Sequence, residues 1–135
     1  MSLYRYKGKV RRVIDGDSIV CDIDLGFGII LSRRNVRLFG VDTCELRSKN
    51  PAIKQFAKLA KSFVKNQLPT GMEVVLSTHL DKGDKFGRVL AEIIMPNGDS
   101  LTNRIIDERW GVRYFGRSKE ELLEAHRKKL ALSPR

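Results

Sequence analysis

Apolar Ile19, Cys21 and Ile23 alternate with Val20, Asp22 and Asp24, a period of two that predicts a strand with one buried face. Gly26-Phe27-Gly28 reads as a turn into a second apolar segment, Ile29-Ile30-Leu31. Residues 36–41 are short, apolar and β-branched, and they predict a third strand. The period then changes. Asn50 is placed to cap a helix with Pro51 at its first position. Phe56, Ala57, Ala60, Phe63 and Val64 form one helical stripe, and Lys54, Lys58, Lys61 and Lys65 form another. Pro69 and Gly71 end that helix. Two more strands follow, at 73–80 and 88–95, joined by a polar turn containing glycines and closed by Pro96-Asn97-Gly98. Ser100 can cap a helix carrying Leu101, Ile105 and Ile106. Ser118-Lys119-Glu120-Glu121 has the capping-box pattern and opens a last helix through Leu122 and Leu123.

Three strands, a helix, two strands and two helices make a mainly β, α+β chain. The order suits a five-stranded Greek-key barrel of the OB type with three helices. At 135 residues the chain is read as one domain, 1–135, with room for a single core. Barrels of this type often bind nucleic acid across one face.

Charge changes the picture more than composition does. Lys and Arg total 26 against 16 Asp and Glu, a formal net charge of +10, which favours a phosphate-rich partner. No acid lies between Glu45 and Glu73, and residues 1–14 carry only basic charges. No apolar run is long enough to span a membrane. The two cysteines make no disulfide framework, and the N-terminus has no signal-like apolar region, so a reduced, cytoplasmic setting is the expectation. A monomer is the default.

Against that basic background, carboxylates and arginines fall in three short stretches: Asp15-Gly16-Asp17, Arg37 to Glu45, and Asp84-Lys85-Phe86-Gly87-Arg88. Together they hold the parts for gripping a hard metal ion, activating water and stabilising a phosphoryl transition state. Singly, each has a bland reading. Asp-Gly-Asp is a common turn, and Asp42-Thr43 could cap one. Glu45 could be a solvated acid. Arg37, inside an apolar segment, needs a partner, either a structural ion pair with Asp42 or Glu45, or a phosphate. Arg88 could be ordinary surface. Lys49 and Lys85 adjoin motifs and are candidates for substrate contact. Tyr114 and Phe115 could stack on a base or pack in the core. In a flat strand Arg37 and Asp42 would point to opposite faces, so a shared site requires the chain to bend near Gly40-Val41. No Cys/His spacing suits zinc.

These motifs resemble, in order and internal spacing, those of the staphylococcal nuclease (thermonuclease) family, over about Lys7 to Ala125. The resemblance implies the OB barrel and Ca²⁺-dependent hydrolysis of DNA and RNA, preferably single-stranded, at the P–O5′ bond to leave 3′-phosphates. It implies Asp17, Asp42 and the Thr43 carbonyl as metal ligands. It implies Glu45 as base or water-orienting group, Arg37 as a catalytic phosphate clamp, Arg88 as the second catalytic arginine, and Lys85 as a phosphate neighbour. Mg²⁺ or Mn²⁺ would also suit two carboxylates and several waters. Ser18 stands where the family has Thr, Cys44 where it has Pro, and Phe86 where it has Tyr. The alternative is a non-catalytic nucleic-acid-binding barrel of the kind that has lost these acids and arginines. This chain keeps them.

Overall fold

The computed structural model describes residues 4–79 and 88–114. Its strands are β1 (Arg5–Asp15), β2 (Ser18–Gly26), β3 (Ile29–Leu38), β4 (Gly40–Thr43), β5 (Glu73–His79), β6 (Arg88–Ile94) and β7 (Gly111–Tyr114). The helices are α1 (Pro51–Gln67) and α2 (Leu101–Asp107). Five strands close a barrel in the order β1-β2-β3-β6-β5, while β4 and β7 form a separate two-stranded sheet. The barrel is mixed, because β3 and β6 run parallel and the other pairs antiparallel. The molecule is thus a mainly β, five-stranded mixed barrel with two helices among the described residues.

The barrel has the expected number of strands but not the expected members. β1 was not predicted, because its outward positions are Arg5, Lys7, Lys9 and Arg11 and its inward ones include Gly8. An irregularity between Val10 and Arg12 also breaks its period. Conversely, the segments at 29–31 and 36–41 are not two strands. They are one strand to Leu38, then a turn at Gly40 (φ +86°) into β4. Tyr114 ends β7, a strand that was not predicted. The capping box at Ser118 and the third helix lie outside the described residues.

Val10, Ile19, Val36, Leu76, Ala91 and Ile93 are fully buried inside the barrel. Asn50 accepts hydrogen bonds from the Ala52 and Ile53 N–H groups and starts α1, which packs against β1. Phe56, Ala57, Ala60 and Val64 are its buried face. Phe56 also meets Trp110, with ring centroids 5.2 Å apart. Cys44, Leu46 and Ile53 join this satellite cluster, which fastens the segment after β4 to the helix.

Candidate functional site

The β1–β2 turn, the ends of β3 and β6, and the start of the segment after β4 converge on one cleft of about 380 Å³. Each arrives for a local reason. In the turn, the Asp17 N–H donates to Asp15 Oδ1 at 3.1 Å. Gly16 is needed there on steric grounds, since a Cβ would lie 2.7 Å from Thr43 Oγ1. The turn can therefore sit directly on β4. Ser18 pairs with Arg37 across β2 and β3, and Asn35 pairs with Arg88 across β3 and β6. Those registers bring both arginines to the cleft end of the barrel.

The break at Gly40 resolves the facing problem. Beyond it β4 runs on a new course against β7, and Arg37 Nη2 donates to Asp42 Oδ1 at 2.9 Å. Arg37 Nη1 donates to the Val41 carbonyl at 2.9 Å and lies 3.4 Å from Asp17 Oδ2. One guanidinium thus spans both carboxylates. Gly111 permits the close β4–β7 approach, because a Cβ there would stand 2.8 Å from the Asp42 carbonyl oxygen.

Asp17 is only 8% exposed. A carboxylate so buried is costly unless its lone pairs are met. Here Oδ2 accepts from the Thr43 N–H at 3.0 Å and Thr43 Oγ1 at 3.2 Å, and Oδ1 accepts from Ser18 Oγ at 3.3 Å. Arg37 adds the countercharge. Asp15 behaves differently. Burial, then the side-chain hydrogen bond and negative charge of Asp17, push its carboxyl up to about 7, while Arg37 pulls the other way. Glu45 is exposed, and its backbone carbonyl accepts from the Ser48 N–H at 3.2 Å.

Asp17, Arg37, Asp42, Thr43, Glu45 and Arg88 all line the cleft. Lys49 is exposed and lies off its lining. Lys85 and Phe115 fall outside the described residues. Tyr114 pairs with Gly40, and the Arg37 guanidinium lies 5.9 Å from its ring centroid, so it flanks the arginine. The lining residues not singled out for a role there include Asp15, Cys44 and Arg47. Asp15 read as turn chemistry, and Arg47 was one basic residue among many. Cys44 is buried beside Glu45.

The donor chemistry can be tested against a metal. Asp17, Asp42 and the Thr43 carbonyl supply oxygen, which suits a hard cation. Among the described residues no group of three or more His, Cys, Asp or Glu could hold a metal. A closed protein cage or a zinc site therefore does not fit, whereas a hard ion keeping much of its water does. Such an ion would share Asp17 and Asp42 with Arg37.

Comparison with known proteins finds a matching family. The family described as "Staphylococcal nuclease homologue" matches residues 35–131. The chain is similar to a protein named thermonuclease from Staphylococcus intermedius, 38% identical over 94 residues, covering 70% of this chain and 51% of that protein. A thermonuclease from Staphylococcus hyicus is 38% identical over 85 residues, covering 63% and 46%. Endonuclease YhcR of Bacillus subtilis is 27% identical over 115 residues, covering 82% of this chain and 9% of that protein. The chain spans about half the length of the two thermonucleases.

Proposed function

The chain belongs to the staphylococcal nuclease homologue family, and from that premise we propose that it is a metal-dependent phosphodiesterase cutting DNA and RNA strands. The barrel order β1-β2-β3-β6-β5 supports reading the fold as OB type. The observation that carries the function is the meeting of two carboxylates, a third acid and two arginines in one cleft, with Arg37 spanning Asp17 and Asp42.

Asp17, Asp42 and the Thr43 carbonyl would hold the ion, with Ca²⁺ the expected one. When bound, it supplies positive charge beside the scissile phosphate. The protein groups do the rest. Glu45, exposed at the cleft, takes a proton from the attacking water. Water adds to phosphorus opposite the 5′-oxygen, the P–O5′ bond breaks, the departing 5′-oxygen takes a proton from solvent, and a 3′-phosphate and a 5′-hydroxyl are left. Arg37 and Arg88 face the charge that grows on the phosphoryl oxygens, which is where preorganised donors act most strongly. Asp15 orders the turn that carries Asp17. Tyr114, beside Arg37, can stack against a base, and Lys49 and Lys85 complete the proposal as substrate contacts. The cytoplasmic setting and the monomeric state stand as part of the same proposal.

Digestion of single-stranded DNA with Ca²⁺, with and without chelator, tests the reading. Chelator-sensitive cleavage to 3′-phosphates is expected. Binding without such cleavage would favour the non-catalytic alternative.

A further inference from the structure

The second stripe of α1 lies outside the cleft and has no part in the chemistry. Lys54, Lys58 and Lys65 are exposed and Lys61 is half-buried. At the helical angle of about 100° per residue all four fall within one arc of roughly 60°, to the side of the buried face. They form a straight ridge about 16 Å long. That is roughly the length of five phosphates along one strand of a duplex.

A merely solvated helix is usually built otherwise. It mixes signs, because acids four residues from lysines stabilise it. It places acids in the first turn, where the helix dipole favours them. α1 has no acid in its first turn. Lys54 sits in that turn instead, and the chain has no Asp or Glu from Leu46 to Met72. Lys54–Lys58 and Lys61–Lys65 are like-charge pairs at the destabilising spacing of four. Local helix stability therefore accounts for Lys65, which sits in the last turn, but not for the rest of the stripe.

The ridge also follows the cleft wall directly in the chain. Arg47 lines the cleft wall, and Lys49 is exposed just before the cap of α1. The Cys44–Phe56–Trp110 cluster holds this segment against the helix. Along the chain, basic residues therefore run from the cleft wall into α1.

We propose that the lysine ridge of α1 is a phosphate track that binds the strand beyond the cut site, so that the protein grips long strands more tightly than short ones. It rests on nucleic acid being the ligand of the cleft, but not on its being cleaved. Binding is therefore measured with chelator present, using single-stranded DNA of about 4 nucleotides, the smallest footprint of such a barrel, and of about 20. The variant with Lys54, Lys58, Lys61 and Lys65 each changed to Gln is compared with wild type and with the variant in which each is changed to Arg. The glutamine variant is expected to lose at least about tenfold affinity for the long strand, and its slope of log affinity on log salt falls by about 2 to 3. Its affinity for the short strand holds, and the arginine variant matches wild type. Unchanged long-strand affinity and slope in the glutamine variant overturn the track. So does a loss confined to vesicles containing phosphatidylserine, which would assign the ridge to a membrane surface. Cleavage assays on the same proteins report separately on the nuclease reading.

Discussion

β2 and β3 end in opposite ways. At the Ser18–Arg37 end the side chains are polar and buried: Asp17 and Thr43 lie out of water, and Arg37 is held between carboxylates. At the Gly26–Ile29 end they are apolar and exposed. Phe27 is fully in solvent, at φ +58° between two glycines, and Ile29 and Ile30 are each 53% exposed. Burial and polarity are inverted relative to expectation at both ends. The inversion at the cleft end has a cost that a network of hydrogen bonds must offset. The tip has little packed against it to lose. The proposed chemistry and the fragility therefore fall at one end of the same hairpin.

The comparison is sharpened most by Arg37→Ala. It should lower turnover by about 10² or more, as for a lost oxyanion donor. Because it leaves Asp17 buried without its countercharge, it should also destabilise the fold by about 3 kcal/mol. Single-turnover cleavage and urea unfolding read the two effects. Glu45→Gln separates them. Turnover should fall by roughly 10² to 10⁴, as for a lost general base. Glu45 is exposed, so stability should stay within about 0.5 kcal/mol.

Asp15 gives a smaller, pH-dependent test. Its pKa is raised on folding from 3.8 to about 7, so between those values the folded state holds a proton the unfolded chain has released. Stability from this group therefore falls as pH rises through that window. Asp15→Asn should flatten the difference in urea midpoint between about pH 4.5 and about pH 7.5, measured with chelator present. An unchanged difference would mean that Asp15 titrates normally. The smallest effect is expected at the other end: Phe27→Ser should leave both turnover and stability nearly unchanged, within about 0.5 kcal/mol. A large loss there would break the contrast between the two ends.

Much of the cleft was legible because its residues cluster in short motifs. Arg37 through Glu45 are nine consecutive positions, and the bend that unites them was foreshadowed by Gly40. The helix was legible from Asn50, Pro51 and the stripe ending at Val64. β1 was not, because barrel closure rewards a strand whose outer face is entirely basic, and periodicity sees only half-apolar alternation. β7 was hidden for another reason. Its four residues are held by pairing with β4, a contact between distant parts of the chain. The carboxylate–arginine network around Asp17 was likewise invisible, since Thr43 reaches it from 26 residues away.

The central claim is that this cleft performs chemistry that needs both a hard cation and Glu45. Cleavage of a labelled single strand by wild type and Glu45→Gln, each with Ca²⁺ and with chelator, tests it most directly. The account predicts rapid cleavage to 3′-phosphates by wild type with Ca²⁺, loss with chelator, and a drop of at least about 10² in the variant with binding retained. Wild-type cleavage that persists in chelator, or a Glu45→Gln variant that cuts at the wild-type rate, would contradict it.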